Sequence, residues 1–255
     1  MVKLKELYKK FIVPLISVRP MALWYYKKYL FDLYKYKKVA GKKEIENMKL
    51  LPRLGDDKIK SQIDPHYFYQ AVWAARKIAA DKPELHIDIA SQALFVGMLT
   101  SLTKIRFIDM RPLGAKIPNL ECVDGSIDNL PFSNNSVSSI SCLHVAEHIG
   151  LGRYGDALDP EGTKKACAEL SRVLAYNGRL YFSLPIGKEI TFFNAHRIHS
   201  PKIILSYFPD LKLLEFSAID DRGKYVVNAQ IASFEDAEYG CGLFEFTKRL
   251  NDASK

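Results

Sequence analysis

The chain has 255 residues, of which 48% are hydrophobic, and this suits one large domain or a domain of about 200 residues with an appendage. No apolar run reaches the roughly 18 residues that a membrane helix needs, and no secretory signal is apparent, so we expect neither a membrane-spanning nor a secreted protein. The net charge of +8 is local, because residues 1–43 carry +10 and the remainder −2. A nucleic-acid-binding domain would spread its basic residues over the fold, so we expect no nucleic-acid partner.

The N-terminal arm, residues 1–43, contains 9 of the 30 aromatic residues. Leucines and aromatic residues recur there at helical spacing with lysines between them, and Pro14 and Pro20 interrupt the pattern, which predicts two amphipathic helices. Such an arm can pack on the domain or on a second copy of the chain, or it can lie on an anionic membrane surface. The latter alternative predicts a cytoplasmic protein held peripherally at the inner face of the membrane. The oligomeric state stays open.

Residues 44–62 are typical of a polar connector, and residues 63–255 of one α/β domain. Predicted helices cover residues 67–80, 93–102, 162–175 and 201–207. Predicted strands cover residues 86–90, 105–109, 120–123, 139–143, 180–184, 212–218 and 243–248. This alternation predicts a doubly wound, mostly parallel sheet with helices on both faces, preceded by the helical arm.

The four cysteines have no CxxC or CxxxC spacing, which predicts reduced thiols in a cytoplasmic protein. Two of them, Cys122 and Cys142, fall in predicted buried strands. The other two are Cys167 and Cys241.

Two polar segments follow predicted strands and are expected at one edge of the sheet. The first is SSISCLHVAEHIGLGRYGD at residues 138–156. His144, Glu147 and His148 are spaced i, i+3 and i+4, which predicts that they lie on one face of a helix. A loop with three glycines follows them. The second is FFNAHRIHS at residues 192–200. Alternatively, Glu147 and His148 only satisfy buried groups, and the second segment is a surface loop whose arginine pairs with Asp156 or Asp159.

With its elements in this order, the chain resembles class I S-adenosylmethionine-dependent methyltransferases over roughly residues 85–220. The runs HIDIASQ, FIDMRP and GSIDNLPFSNNSVSSISCLHVAEHI carry the resemblance. A closer resemblance, over residues 66–248, is to the domain of unknown function 268 family of bacteria and nematodes. It is carried by FIDMRPL, HVAEHIGLGRYGD, DPEGTKKACAELSRVL and FNAHRIHSP. That family is uncharacterised, and its bacterial members look like accessories to cell-surface polysaccharide synthesis.

The methyltransferase resemblance implies a Rossmann-like fold, S-adenosylmethionine as cofactor, and an acid at the end of the second strand that holds the ribose hydroxyls. The implied cofactor-binding residues are Asp88, Ala90, Ser91, Asp109, Met110, Ser126, Ile127 and His144. The chain departs from the family at the first turn, where Ala90, Gln92 and Leu94 stand at glycine positions, and at Ser126, where an acid is expected. A β-carbon at such a glycine position takes up space and disfavours positive φ, so a remodelled or empty cofactor site is the alternative.

HVAEH also spells the His-x-x-Glu-His motif of inverzincin metallopeptidases. That motif belongs in the middle of a helix, whereas here a strand end precedes it and the glycine loop follows, which argues against a zinc peptidase. A divalent ion held by His144, Glu147 and His148 together with His196 or His199 is a second alternative. No residue is assigned as a metal ligand from the sequence.

The leading function is transfer of a methyl group to oxygen of a sugar, a nucleotide-sugar or a cell-surface glycan precursor, with a histidine as the base. The candidate catalytic residues are His148, His196 and His199. The candidate substrate-binding residues are Arg153, Tyr154, Asn194 and Arg197. The rival function is a non-catalytic methyltransferase-fold module that binds a glycan or a partner enzyme of polysaccharide synthesis.

Overall fold

The structure is a computed structural model that describes residues 20–54 and 63–249. Contacts divide the chain into two compact units, Met1–Gln62 and Ile63–Lys255. The first of the two predicted arm helices lies outside the described residues. Within the described part of the chain, no helix is both long enough and apolar enough to cross a bilayer. The boundary between arm and connector at residue 43 stays a prediction.

The N-terminal unit contains helices α1 (Pro20–Val39) and α2 (Lys42–Glu46). Proline suits the first turn of a helix, so Pro20 begins α1 rather than breaking it. Two lysines of α1 stack on aromatic rings of the same helix, since Lys35 Nζ lies 4.1 Å from the ring centroid of Phe31 and Lys38 Nζ lies 4.4 Å from that of Tyr34. Helix α2 ends within the predicted polar connector, which is therefore partly helical.

Eight strands of the Ile63–Lys255 unit form one twisted sheet, and two more form a separate hairpin. They are β1 (Leu85–Ile89), β2 (Lys104–Asp109), β3 (Leu120–Asp124), β4 (Val137–Leu143), β5 (Leu174–Ile186), β6 (Ile190–Phe192), β7 (His196–Ile198), β8 (Leu211–Ile219), β9 (Tyr225–Val226) and β10 (Gly240–Lys248). The sheet order is β3-β2-β1-β4-β5-β10-β8-β9, and β6 pairs with β7. The first five strands in this order are parallel, while β10 is antiparallel to both of its neighbours. The predicted mostly parallel α/β sheet is confirmed.

Four helices cover the two faces of this sheet. They are α3 (Pro65–Asp81), α4 (Ala93–Leu99), α5 (Gly162–Val173) and α6 (Pro201–Tyr207). Trp73 of α3 and Phe95 of α4 pack in one part of the core, and Leu170 of α5 and Ile204 of α6 pack in the other. Both faces of the central strands are buried, as a doubly wound sheet requires. One face of β1 and β4 also carries a buried hydrogen-bonded set of polar residues, His86, Asp88, Ser139 and Ser141.

The structure departs from the predicted elements mainly around β5. This strand begins at Leu174, directly after α5, and has 13 residues, whereas a helix to residue 175 and a strand over 180–184 were expected. The β6–β7 hairpin was not predicted, because strands of three residues give too short a pattern to recognise. The side chain of Cys142 is buried as expected, but Cys122 is only half-buried, and all four cysteines are free thiols.

Candidate active site

A cavity lies at the carboxyl ends of the first parallel strands, beside the point between β1 and β4 where the strand order reverses. In an open α/β sheet this crevice is the usual place for a ligand. Six of the eight predicted cofactor-binding residues line it: Ala90, Asp109, Met110, Ser126, Ile127 and His144. Its wall also includes Ile89, Ile108, Arg111, Gly125, Val145, His148, Ile149, Tyr154 and Asp156.

Asp109 ends β2 and is fixed by the backbone around it. One of its carboxylate oxygens accepts a hydrogen bond from the Arg111 amide at 2.8 Å, and its carbonyl accepts one from the Gly125 amide at 3.2 Å. A β-carbon on Gly125 would lie 2.8 Å from Ile108 Cγ2, so the close packing of these two residues of the cavity wall requires glycine or a shift of Ile108. The arrangement leaves the other carboxylate oxygen of Asp109 available to a ligand.

The turn after β1 adopts a glycine-like conformation without glycine. Ala90 has φ +49°, a left-handed conformation that costs a non-glycine residue roughly 1–2 kcal/mol. Of the other two positions at which the resemblance expects glycine, Gln92 has φ −60° and Leu94 lies within α4 with its side chain exposed. Of the three departures from glycine, only Ala90 lines the cavity, and its backbone adopts the left-handed conformation that glycine would have there.

The two remaining predicted cofactor residues, Asp88 and Ser91, lie behind the cavity wall rather than on it. One carboxylate oxygen of Asp88 accepts a hydrogen bond from the Ser91 amide at 3.0 Å, and the other accepts one from the Ser141 hydroxyl. Ser91 Oγ in turn accepts the Leu143 amide at 3.2 Å. Burial raises the pKa of Asp88 to about 6 against the opposing effect of these hydrogen bonds. Both residues hold the turn against β4 and do not line the cavity themselves, so their predicted contact with a cofactor stays a prediction.

The end of β4 does not form the predicted helical face. His144 has φ +56°, and a single 3-10 turn, Ala146–His148, follows it. Glu147 is fully buried between two imidazoles, with its Oε1 3.0 Å from His144 Nδ1 and 3.6 Å from His148 Nε2. The three side chains therefore do not lie along one face of an α-helix, the arrangement in which the metallopeptidase motif is found.

This buried cluster is an ion pair. Burial raises the pKa of the Glu147 carboxyl, but His144 and then His148 outweigh it and hold that pKa below its usual value. Burial likewise disfavours charge on His144, but Cys241 and Glu147 together raise its pKa to about 10. Neither oxygen of Glu147 receives a hydrogen bond of good geometry, so its negative charge depends on the neighbouring imidazoles.

The glycine-rich loop after this turn is held in shape by one carboxylate. Gly150, Gly152 and Gly155 have φ of +81°, +70° and +89°, which favour glycine. The Asp156 carboxylate accepts hydrogen bonds from the amides of Gly150, Gly152 and Tyr154 at 2.7, 3.2 and 3.2 Å. These bonds outweigh burial and lower the pKa of Asp156, so the loop is stabilised around an ionised side chain.

The two predicted polar loops meet at the carbonyl of Ala195. His148 Nδ1 donates to this oxygen at 2.6 Å, and Arg153 Nη1 donates to it at 3.2 Å. Tyr154 lines the cavity, and the guanidinium of Arg111 lies 4.3 Å from its ring centroid. The glycine loop is thereby joined to the β6–β7 hairpin on one side and to the end of β2 on the other.

Two predicted substrate-binding residues of the hairpin segment do not line the cavity. Arg197 is buried and donates to the carbonyls of Ile149 at 2.6 Å and Asp159 at 3.0 Å. It fixes the glycine loop through backbone groups, and so neither a substrate clamp nor the alternative pairing with an aspartate carboxylate describes it. Asn194 is exposed at the hairpin turn with φ +59°.

The three predicted catalytic histidines have different surroundings. His148 is the one of the three that lines the cavity. The His196 ring packs against Phe192 and Tyr239, at centroid distances of 5.1 and 5.4 Å, and its buried Nε2 has no hydrogen-bond partner. His199 Nε2 lies 3.3 Å from Thr163 Oγ1, on the α5 side of the hairpin. His199 is therefore removed from the candidate catalytic set.

A second cavity adjoins the first at His144, which lines both. Its other lining residues are Asp64, Pro65, His66, Tyr67, Asp220, Asp221, Gly223 and Tyr239. They come from the start of α3 and from the segments on either side of β9. No sequence motif marks them, because they meet His144 only in the folded chain.

Part of the chain is similar to a known protein family. The model of the family described as "Caenorhabditis protein of unknown function, DUF268" matches residues 123–219. No curated protein matches the chain.

Solved structures with a similar fold include the [4+2]-cyclase SpnF, with a TM-score of 0.54 and 12% identity over 72% of this chain and 82% of that one. They also include the N-methyltransferase NodS from Bradyrhizobium japonicum WM9 in complex with S-adenosyl-L-homocysteine. For NodS the TM-score is 0.53 and the identity 14% over 76% of this chain and 93% of that one. Over residues 123–219 the chain thus matches the DUF268 family, and its larger unit has the Rossmann-like fold of class I S-adenosylmethionine-dependent methyltransferases.

Proposed function

We propose that the protein is an S-adenosylmethionine-dependent methyltransferase. The observation that carries the proposal is the cavity at the carboxyl edge of the sheet with Asp109 on its wall, because an acid in this position meets the hydroxyls of a bound nucleoside. Asp109 would accept hydrogen bonds from the ribose, and Ser126 and Ile127 would contact the adenine. Ala90 and Gly125 are the two smallest residues of the cavity wall. S-adenosylmethionine supplies, when bound, an electrophilic methyl group.

His148 is the residue we propose as the general base. Its Nδ1 carries the proton donated to Ala195, which leaves Nε2 as the acceptor nitrogen. A proton taken up at Nε2 would be stabilised by the Glu147 carboxylate 3.6 Å away. The backbone hydrogen bond orients the ring, as a base in a hydroxyl-activating site requires.

We further propose that the acceptor is a sugar, a nucleotide-sugar or a glycan precursor, in line with the family resemblance. Tyr154 offers a ring for stacking at the cavity, and Arg111 and Arg153 offer cations for a phosphate or carboxylate. The rival is a non-catalytic module that binds a glycan or a partner enzyme. Two departures from the methyltransferase pattern favour this non-catalytic function: alanine replaces glycine at Ala90, and serine replaces an acid at Ser126. A non-catalytic module would transfer no methyl group to any acceptor.

Replacing Asp109 by asparagine is expected to weaken S-adenosylmethionine binding roughly 5- to 150-fold, which corresponds to about 1–3 kcal/mol for a charged hydrogen bond. Isothermal titration calorimetry measures the change. Asp124→Asn is the matched control, because Asp124 ends β3 directly beside Asp109 in the sheet but is exposed and outside the cavity lining. Equal affinities for the wild type and Asp109→Asn would remove Asp109 from the site.

For the N-terminal unit we propose binding to an anionic membrane surface. Helix α1 has five lysines against one aspartate, and Trp24, Phe31 and Tyr34 are more than half exposed. Each lysine near such a surface contributes about 1 kcal/mol, and exposed amphipathic rings suit the interfacial layer.

The full chain is expected to co-sediment with phosphatidylserine vesicles at low salt and to be released at high salt. Reversing the charge of Lys35, Lys37 and Lys38 to glutamate should abolish co-sedimentation, while zwitterionic vesicles should bind little. Binding that survives this change, or that is absent at low salt, would favour packing of the arm on protein instead.

A further inference from the structure

We propose that His66, His144 and Cys241 bind a zinc ion. The nitrogen or sulfur atoms that could bind the ion all lie within 4.8 Å of one another. Among the described residues, these three form a group of histidine and cysteine side chains close enough to share a metal ion. The three residues come from the start of α3, the end of β4 and the start of β10, so the site joins a helix to the two strands that flank β5. It shares only His144 with the divalent-ion set that the sequence offered as an alternative, which consisted of His144, Glu147 and His148 with His196 or His199.

The spacing fits a tetrahedral zinc ion. Bonds of about 2.0–2.1 Å to nitrogen and about 2.3 Å to sulfur put neighbouring ligand atoms roughly 3.3–3.7 Å apart. His144 Nε2 already lies 3.3 Å from Cys241 Sγ. Since the three ligand atoms lie within 4.8 Å of one another, a movement of the His66 side chain by about 1–1.5 Å completes the group. Its ring already lies 5.4 Å from that of His144, measured between ring centroids.

The surroundings of His144 match those of a zinc-bound histidine. The other ring nitrogen of a metal-bound imidazole generally donates its N–H to a carboxylate or a carbonyl oxygen, and this hydrogen bond fixes the tautomer and the ring orientation. Glu147 Oε1 lies 3.0 Å from His144 Nδ1, which leaves Nε2 directed at Cys241. His144 is also held at φ +56°, a strained conformation that functional sites often retain.

The charges balance with the ion present. Glu147 is fully buried, and neither of its oxygens has a hydrogen bond of good geometry. A buried carboxylate needs a compensating positive charge. A zinc ion bound to His144 Nε2 would place that positive charge on the ring whose Nδ1 already lies 3.0 Å from Glu147 Oε1. The donor set of one sulfur and two nitrogens favours zinc over magnesium or calcium, which prefer oxygen ligands.

Three protein ligands leave a fourth position, as in catalytic zinc sites. His66 and His144 both line the second cavity together with Tyr67 and Tyr239, so we infer that this position opens into it and takes an oxygen ligand, either water or a hydroxyl group. The proposal does not rest on methyl transfer, because metal content and metal spectra report on it directly.

The test uses the full chain, purified without a histidine tag. Mass spectrometry of the metal content should find about one zinc per chain in the wild type and in the control Cys122→Ser, which removes a half-buried thiol outside the site. Cys241→Ser and His66→Asn should lose it. Glu147→Gln, which removes the negative charge beside His144, should lower zinc affinity about 10–100-fold in a chelator competition.

Cobalt replaces zinc as a spectroscopic probe. Chelator-treated wild-type protein titrated with Co²⁺ should show a thiolate-to-cobalt charge-transfer band that is absent from Cys241→Ser, with circular dichroism confirming that each variant is folded. Absence of zinc from the wild type together with absence of the cobalt band would overturn the proposal. So would metal binding that Cys241→Ser and His66→Asn leave unchanged.

Discussion

Replacing His148 by glutamine is expected to lower methyl-transfer turnover by about 10²–10⁴-fold, the usual contribution of a general base. His148 combines three features of such a base: it lines the cavity, its Nδ1 donates to Ala195 at 2.6 Å, and a buried carboxylate lies 3.6 Å from its Nε2. Glutamine keeps a donor and an acceptor but cannot take up a proton. The affinity for S-adenosylmethionine should change little, because His148 is proposed to take a proton from the methyl-accepting substrate and not to bind the cofactor.

Transfer of a labelled methyl group to a pool of nucleotide-sugars and lipid-linked glycan precursors measures this effect. His199→Gln is the matched control, because His199 is as buried as His148 but contacts Thr163 rather than the cavity. A loss of turnover in His199→Gln with none in His148→Gln would reverse the assignment. A similar small change in both would exclude His148 as the base and leave His196 as the remaining histidine candidate.

Replacing Gly150 by alanine is expected to lower the free energy of unfolding by about 2–5 kcal/mol. A left-handed conformation costs alanine about 1–2 kcal/mol, and overpacking adds about 1–3 kcal/mol. The added β-carbon would lie 2.0 Å from the carbonyl oxygen of Asp159, which is backbone and cannot rotate away. That carbonyl also accepts a hydrogen bond from Arg197, so the change should disturb the loop over the cavity as well.

Gly155→Ala separates the two contributions to this loss. Gly155 belongs to the same loop and has φ +89°, but a β-carbon there would meet no atom within 4 Å. The free energy of unfolding of Gly155→Ala should therefore fall only by the cost of the left-handed conformation, about 1–2 kcal/mol. Urea unfolding followed by circular dichroism compares the two variants. Equal losses would mean that the loop relaxes around the new methyl group at Gly150.

The sequence was a good guide wherever the relevant pattern is local. Asp109 could be placed on the cavity because it ends a short buried strand, and parallel strands bring their carboxyl ends to one edge. The α6 helix was predicted with its observed limits, because Pro201 marks its first turn. The resemblance to a cofactor motif does not reveal that Asp88 is fully buried and bonded to Ser91 and Ser141 behind the cavity lining.

Features that depend on distant residues could not be predicted. Spacing alone placed His144, Glu147 and His148 on one helical face, but the backbone at His144 is left-handed and the carboxylate lies between the two rings. His66 and Cys241 carry no motif of their own. They reach His144 through the packing of α3 on the sheet and the antiparallel insertion of β10 beside β5, which are non-local contacts.

Equilibrium binding of S-adenosylmethionine to the wild-type chain tests the central claim most directly. Isothermal titration calorimetry should give one site per chain with a dissociation constant below about 1 mM, and S-adenosyl-L-homocysteine should compete for it. Asp124→Asn should bind like the wild type, since its side chain lies outside the cavity. The absence of binding by folded wild-type protein at millimolar cofactor would contradict the account and leave a methyltransferase fold without its cofactor.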